Sequence, residues 1–311
     1  MDASINKRVY KAFGLKISSQ ILLPEIPEII SKDKVDIVVK IAELSSLWEK
    51  LAAPSDILIV KENLCLFKVP KVAKFLIEDG TTITVSPSEN SNEDQIRLYV
   101  LGSCMGVLLM QRRILPLHGS AISIDGKAYA IIGDSGAGKS TLASAFLKKG
   151  FQLLSDDVIP IHFDATNVPM VTPAYPQQKL WLESLNEFGM KSDQYRPIFK
   201  RVSKFAVPVS HQFAVEPLPL AGVFELVKSE GNEIVCKPIE NLQRLHTLFN
   251  HTYRNFLISR LGLMEWHFST TAKICEHIKL NQLQRPTSRF TVNELTDFIL
   301  TTVTKGEKIY G

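Results

Sequence analysis

Short apolar runs separated by turn residues dominate the chain up to about residue 90. They predict strands at Val35 to Val39, Asp56 to Val60, Leu64 to Val69, Phe75 to Ile77 and Thr81 to Val85. Asp79-Gly80 stands between the last two runs and predicts a tight hairpin, because this pair accepts positive backbone angles. The polar segment 86–92, SPSENSN, is the best candidate for a linker.

Longer periodic patterns follow. Residues 93–113 are apolar on more than one face, which predicts a helix buried in the centre of a domain. A second hairpin is expected where Asp125-Gly126 separates the apolar runs 121–124 and 127–132. We further expect a helix over 141–149 that ends at Gly150, and a strand over 151–161.

The region 169–219 is rich in proline and polar residues and gives no clear assignment. Strands are expected at 223–227 and 234–238. The tail from Asn241 onward is mostly helical, with helices predicted at 242–250, 253–261, 269–278 and 292–303. The sequence thus predicts an α/β protein with a β-rich region over 1–92 and a second domain over 93–311 that ends in a helical tail.

Composition narrows the classes of partner. The net charge is only +4 over 311 residues, with both signs mixed, which argues against nucleic acid as a partner. The start, MDASINKRVYKAF, lacks the apolar run of a secretory signal, and Leu98 to Met110 is shorter than the ~20 residues of a membrane helix, so no membrane association is expected. A reduced, cytoplasmic compartment is expected because the cysteines fit neither a zinc-ligand spacing nor a disulfide scaffold: Cys65, Cys104, Cys236 and Cys275.

A glycine-rich loop after an apolar strand carries the strongest chemical signal. Segment 133–140, GDSGAGKS, matches the pattern G-x-x-x-x-G-K-[ST] of phosphate-binding loops at every required position. Its glycines let N–H groups point at a β-phosphate, and the following helix adds its positive N-terminus. Lys139 is expected to reach the β- and γ-phosphates, and Ser140 to offer its hydroxyl to Mg²⁺. The expected cofactor is ATP with Mg²⁺, bound by Gly133, Asp134, Ser135, Gly136, Ala137, Gly138, Lys139, Ser140 and Thr141.

Two adjacent acids, Asp156-Asp157, lie in an apolar strand beyond this loop. Such a pair is costly there without a cation, and a kinase of this type needs one carboxylate for the Mg²⁺ shell and a group that positions or deprotonates the nucleophile. We assign Asp157 as the base and Asp156 to the Mg²⁺ side, although the order could be reversed. Neighbours in a regular strand face opposite sides, so the strand must end or twist if both serve one site.

His118-Gly119 precedes the strand that is expected to pair with the strand feeding the loop. His118 could therefore contact the phosphates or orient an aspartate, although a lone histidine is more often structural. Phosphoryl transfer also calls for extra cations. Four in the unassigned region could supply one, although each alone is more often a solvated side chain: Lys179, Lys200, Arg201 and Lys204.

The stretch from His118 to Ile161 resembles the catalytic core of the HPr kinase family, which phosphorylates a serine of a carrier protein. The resemblance rests on His118-Gly119, the GDSGAGKST loop, Gly150 and the Asp156-Asp157 pair. It implies a P-loop fold related to phosphoenolpyruvate carboxykinase. It also implies a histidine at the phosphates and a second aspartate that acts as base toward the seryl hydroxyl, roles that fall on His118 and Asp157.

Two features depart from that family. Its downstream Arg-Gly-x-Gly signature is absent, with AYPQQKLW at 174–181 instead, which puts reverse phosphorylase activity and carrier recognition in doubt; the N-terminal region also differs. In both features the chain resembles the HPr-kinase-like enzymes found with lasso-peptide biosynthesis. In that branch the acceptor is the C-terminal serine of a precursor peptide. The matching segments are YKAFGLKISS (10–19), LPE (23–25), YPQQKLW (175–181) and HTYRNFLISRLGL (251–263).

The expected function is that of an ATP-dependent serine kinase acting on a precursor peptide. The alternatives are a carrier-protein kinase, a small-molecule kinase and a nucleotide-binding regulatory module. The paired aspartates favour an enzyme, because a protein that only binds nucleotide needs no base. The oligomeric state, with a homo-oligomer as one option, and repeated transfer to a polyphosphorylated product stay open.

Overall fold

A first sheet contains the β-rich N-terminal region. The computed structural model describes residues 8–31, 33–198 and 201–307. The strands of this sheet are β1 (Arg8–Ala12), β2 (Leu15–Ser19), β3 (Ile37–Ile41), β4 (Leu58–Lys61), β5 (Leu64–Val69), β6 (Ala73–Glu78) and β7 (Thr82–Pro87), with helix α1 (Ser45–Leu51) between β3 and β4. Their order is β1-β2-β3-β7-β6-β5-β4. Asp79 and Gly80 have φ of 52° and 63°, which confirms the predicted hairpin between β6 and β7.

The predicted buried helix is present as α2 (Glu93–Tyr99), a π-helical turn (Val100–Cys104) and α3 (Met105–Gln111). Asn92, the last residue of the predicted linker, caps α2 by accepting a hydrogen bond from the Asp94 N–H at 2.8 Å. The helix packs its apolar side chains onto the first sheet in one continuous core. The domain boundary at residue 92 therefore stays a prediction.

The second part of the chain builds two further sheets. Its strands are β8 (Leu115–Ile124), β9 (Lys127–Ile132), β10 (Gln152–Phe163), β11 (Pro169–Val171), β12 (Gln177–Trp181), β13 (Arg196–Ile198), β14 (Arg201–Pro208), β15 (Leu218–Ser229), β16 (Val235–Pro238) and β17 (Lys279–Pro286). Seven of these strands form a sheet in the order β11-β10-β8-β9-β15-β17-β16, and β12-β14-β13 form a small one. The pairings β9–β15 and β15–β17 are parallel.

The α-helices described in this part of the chain are α4 (Lys139–Lys148), α5 (Leu182–Glu187), α6 (Asn241–Asn250), α7 (Phe256–Arg260), α8 (Met264–His277) and α9 (Val292–Glu307). Helices α4 and α9 pack on one face of the seven-stranded sheet and α6 and α8 on the other, whereas α5 contacts the small sheet and the buried side chains of α7 lie in the core of the first sheet. Side chains alternate along β9, so that Tyr129 and Ile131 pack in the core with α4 and α9, while Ala130 and Ile132 pack in the core that contains residues of α6 and α8. The structure confirms the α/β class, the phosphate loop between strand and helix, and the helices of the tail. No helix of the described residues has the length and apolar character needed to cross a bilayer.

Two regions differ from the sequence expectation. Strand β17 lies inside the tail that we expected to be mostly helical; its most buried residues are Leu280, Leu283 and Pro286, a spacing of three that hides the alternation of a strand. The unassigned region 169–219 supplies β11 and the small sheet. Strand β12 packs against α4, where the Ser144 hydroxyl donates a hydrogen bond to the Gln178 side chain at 2.8 Å.

Candidate active site

The phosphate loop leaves β9 and enters α4 as the motif predicts. Gly133, Gly136 and Gly138 have φ of 143°, 80° and 105°, a backbone region that favours glycine. A Cβ atom on Gly133 would lie 2.4 Å from the carbonyl oxygen of Leu226 in β15, so glycine is needed there for packing as well. The loop therefore has the conformation in which backbone N–H groups can surround a phosphate.

Lys139 lies across this loop. Its buried ammonium group donates hydrogen bonds to the carbonyl oxygens of Gly133 at 2.7 Å and Asp134 at 2.9 Å. Burial lowers the pKa of Lys139 below its ordinary value, while the charges of Asp156 and Asp157 raise it. A cation held here faces the position that a β- or γ-phosphate takes in a loop of this type.

Asp156 is buried and its carboxylate accepts hydrogen bonds from three donors. Oδ1 accepts hydrogen bonds from the hydroxyls of Ser120 at 2.6 Å and Ser140 at 2.9 Å, and Oδ2 accepts one from the Lys179 backbone N–H at 2.8 Å. The structure thus brings together Ser140 and Asp156, the two predicted Mg²⁺ ligands, at the N-terminus of α4. Their oxygens are the hard ligands that Mg²⁺ takes beside nucleotide phosphates, so this pair fits the ion.

Asp157 shares the site because β10 is irregular at this point. Asp157 has φ of 84°, which no regular strand residue adopts, and the hydroxyl of Ser155 donates a hydrogen bond to the Val158 carbonyl across the irregularity. The carboxylate of Asp157 receives the Lys179 ammonium at 2.6 Å. Of the two alternatives that we considered, an end or a twist of the strand, the structure shows the twist.

The electrostatics of Asp157 follow from its neighbours. Burial by itself would raise its pKa, but the charges of Lys179 and His118 hold the pKa well below the ordinary value. Lys179 is one of the four predicted candidate cations and, contrary to a solvated side chain, is only 8% exposed. Lys204 lies in the lining of the cavity that contains Asp157 and Lys179. Lys200 and the side chain of Arg201 fall outside the described residues.

His118 lies beside Asp157, as β8 pairs with β10 there. Its Nδ1 is 3.1 Å from the Asp157 carbonyl oxygen and 3.5 Å from Asp157 Oδ1. Burial lowers the pKa of His118, which favours a neutral imidazole. The next residue, Gly119, must be a glycine because β8 and β9 approach closely there. A Cβ atom on Gly119 would lie 2.2 Å from the Ile131 carbonyl oxygen. The structure places His118 beside Asp157 and in the lining of the cavity that contains the loop, and its role stays a prediction.

These groups line one cavity of about 1220 Å³. Its lining includes the phosphate loop and residues 287–291, and also residues of α2, the π-helical turn and residues 250–255. The volume is large enough for a nucleotide at the loop together with a second reactant.

Comparison with known proteins supports the predicted family relationship. No family model matches the sequence. The HPr kinase/phosphorylase of Nitrosomonas europaea is 25% identical over 154 residues, which cover 47% of this chain and 48% of that protein. The HPr kinase/phosphorylase of Mycoplasmopsis pulmonis is 36% identical over 64 residues, 20% of this chain and 21% of that protein. The chain is thus similar to HPr kinase/phosphorylases over about half their length at most.

Among solved structures, the Hpr(Ser) kinase/phosphatase from Coxiella burnetii matches 63% of this chain and 99% of its own, with 17% sequence identity and a TM-score of 0.33. No relative in these comparisons bears on the lasso-peptide branch, which stays a prediction.

Three site residues escaped the sequence interpretation. Arg285 in β17 donates a hydrogen bond from Nε to the Ala137 carbonyl at 2.6 Å, with its guanidinium beside Gly138. Tyr253 and Arg254 also line the cavity. None of the three matches a catalytic motif. Only the resemblance of the segment 251–263 pointed to the part of the chain that contains Tyr253 and Arg254.

Proposed function

We propose that this chain is an ATP-dependent serine kinase whose acceptor is the C-terminal serine of a precursor peptide of the lasso-peptide type. The observation that supports it best is the convergence of Lys139, Ser140, Asp156 and Asp157 at the mouth of one phosphate loop. A protein that only binds nucleotide has no use for the second carboxylate.

The residues divide the reaction between them. Loop N–H groups and Lys139 would hold the β- and γ-phosphates, and Ser140 and Asp156 would hold Mg²⁺, which would supply charge neutralisation on the phosphate oxygens. Asp157 accepts a hydrogen bond from the seryl hydroxyl. The seryl oxygen bonds to the γ-phosphorus while the bond to the β,γ-bridging oxygen breaks, ADP leaves, and the hydroxyl proton passes to Asp157.

Kinase assays with three acceptors test this proposal. The protein is incubated with Mg²⁺ and γ-labelled ATP together with a peptide library that ends in serine, the same library ending in alanine, or an HPr carrier protein. Phosphate on the serine-ended library alone is the expected result. Labelled HPr would instead favour the carrier-protein alternative, which the names of the sequence relatives support. MgATP binding without transfer to any acceptor would favour the regulatory module.

The reverse reaction adds a second criterion. Because the Arg-Gly-x-Gly signature is absent, phosphopeptide incubated with excess inorganic phosphate should keep its phosphate, as followed by mass spectrometry. Efficient dephosphorylation would restore the reading of an ordinary HPr kinase/phosphorylase.

A further inference from the structure

The chain segment 251–255 forms part of the wall of the cavity that also contains the phosphate loop. This segment extends the second sheet beside β8: the His118 N–H donates to the His251 carbonyl at 2.7 Å, and the Tyr253 N–H donates to the Pro116 carbonyl at 2.8 Å. The segment is therefore fixed to the same strand that carries His118, and its side chains have a defined position relative to Asp157.

Tyr253 fills the space between His118 and the buried helix. The Tyr253 and His118 ring centroids are 5.8 Å apart. On the other side, a Cβ atom on Gly106 would lie 2.6 Å from the Tyr253 ring, and one on Gly102 would lie 3.2 Å from its hydroxyl oxygen. Two glycines in and after the π-helical turn thus make room for this ring, and such turns are frequent at functional sites.

Arg254 follows with an exposed side chain at the cavity. Its φ of 54° is a conformation that costs free energy for a residue with a Cβ atom. Its guanidinium donates to the Ser103 hydroxyl at 3.2 Å and lies 5.8 Å from the Tyr253 ring centroid. Among the described residues, no carboxylate lies within salt-bridge distance of Arg254, whereas Lys179 is paired with Asp157 and Arg289 with Glu294.

We infer that Arg254, with Ser103 beside it, binds a carboxylate of the acceptor molecule. This inference rests on the proposed kinase function and deepens it. The Tyr253 ring centroid lies 5.8 Å from the His118 ring centroid and 5.8 Å from the Arg254 guanidinium, so the bound carboxylate belongs to the acceptor serine itself or to the residue next to it. Guanidinium binds carboxylate through two parallel hydrogen bonds, which fixes orientation as well as position.

The carboxylate has two sources: the C-terminal α-carboxylate of a peptide that ends in serine, or an acidic side chain next to an internal serine. Three libraries with the same randomised positions separate them. One ends in serine with a free carboxylate, one ends in serine amide, and one carries glutamate after the serine and ends in an amide.

The variant is Arg254→Gln and its matched control is Arg260→Gln. Arg260 is also exposed and also lies 5.8 Å from an aromatic ring, that of Phe256, but does not line the cavity. Two readouts are taken: phosphate transfer, and retention of the libraries on immobilised protein with Mg²⁺ and a non-hydrolysable ATP analogue. MgATP affinity, measured by calorimetry, is expected to stay unchanged in both variants.

We expect the wild-type protein and Arg260→Gln to prefer a carboxylate library over the amide library by about 10- to 100-fold in KM, and Arg254→Gln to lose this preference. The library that is preferred identifies the source of the carboxylate. Equal preference in Arg254→Gln and wild type would overturn the inference and leave the kinase function standing. If retention of a carboxylate library depends on Arg254 but no phosphate is transferred, the carboxylate site is supported and the proposed kinase function is contradicted. A wild-type protein that ignores the carboxylate in both readouts also overturns the inference.

Discussion

The ammonium group of Lys179 lies 2.6 Å from Asp157 Oδ2, and the backbone N–H of the same residue donates to Asp156 Oδ2 at 2.8 Å. One residue of β12 therefore contacts both aspartates, with its ammonium on one and its N–H on the other. Since Lys179 is buried, its charge acts at close range and with little screening by solvent. The pair keeps Asp157 ionised, which suits a group that orients a seryl hydroxyl more than one that removes its proton early.

Replacing Lys179 by methionine should raise the pKa of Asp157, because burial then acts without the nearby cation. In the wild type the depressed pKa means that ionised Asp157 is lost only well below pH 3.8, its ordinary value, so Asp157 gives no acidic limb to kcat/KM at neutral pH. In Lys179→Met we expect an acidic limb that moves toward neutral pH, and a rate restored in part by Lys179→Arg. The pH–rate profile from pH 5 to 9 is the measurement.

The exposed Lys237→Met in β16 is the control for this change, and its profile should match wild type. Thermal unfolding of each variant accompanies the profile, since a partly buried carboxylate that has lost its cation destabilises the fold. A folded Lys179→Met protein with the wild-type profile would contradict the assigned role of the pair.

Lys139→Ala should remove the cation that faces the β- and γ-phosphates. We expect phosphate transfer to fall by at least about 10²–10³-fold and MgATP affinity to weaken. Lys148→Ala, at the exposed end of the same helix, should leave both nearly unchanged. Near-full activity of Lys139→Ala would remove the phosphate loop from the mechanism.

Asp156→Asn and Asp157→Asn should have different phenotypes. Asp157→Asn should keep MgATP affinity, measured by calorimetry, and lose transfer by on the order of 10²–10⁴, the usual worth of a positioned acid or base. Asp156→Asn should raise the Mg²⁺ concentration needed for binding and for transfer, because it weakens an oxygen ligand beside Ser140. If the two phenotypes are exchanged, the roles of the aspartates are exchanged as well.

His267 should make the fold sensitive to acid. Burial lowers its pKa from the ordinary 6.5 to about 4. Its Nε2 lies 2.8 Å from the Thr252 hydroxyl, which donates to the Leu248 carbonyl, so His267 is the donor in this contact. Between these two pH values the unfolded chain binds a proton that the folded chain does not. The free energy of unfolding should therefore fall with decreasing pH, by about 3 kcal/mol in total.

Chemical denaturation at pH 7.5 and pH 5 measures the larger part of this loss, about 2 kcal/mol. His267→Gln keeps a donor to Thr252 and removes the titration, so its stability should change less between the two pH values than that of wild type. His277→Gln, an exposed position at the end of the same helix, should behave like wild type. Equal losses in wild type and His267→Gln would show that other groups cause the acid sensitivity.

The sequence predicted those parts of the site that depend on local chemistry. Gly136 and Gly138 are required by backbone conformation alone, and the two Asp-Gly hairpins by turn geometry, so the sequence pattern reveals them. The sequence also predicted that the strand must end or twist if Asp156 and Asp157 serve one site. In the structure, β10 twists there through a positive φ at Asp157. Each of these features involves residues close together along the chain.

The rest depends on contacts between distant segments. Lys179 belongs to a proline-rich region without periodic pattern, and its burial results from the packing of β12 across α4. Arg285 lies on a strand whose apolar spacing is that of a helix. Tyr253 reaches His118 only because its backbone pairs with β8. Sequence alone cannot reveal such contacts, since each requires the partner element to be in place first.

The position of β9 in the second sheet has a consequence for how the chain folds while it is being synthesised. The strand that carries the phosphate loop pairs on one side with β8, its neighbour in sequence, and on the other with β15, which is synthesised much later. Arg285, which reaches the loop from β17, is 148 residues beyond Ala137. Until β15 has been synthesised, β9 is therefore an open edge of the nascent sheet that another chain can pair with.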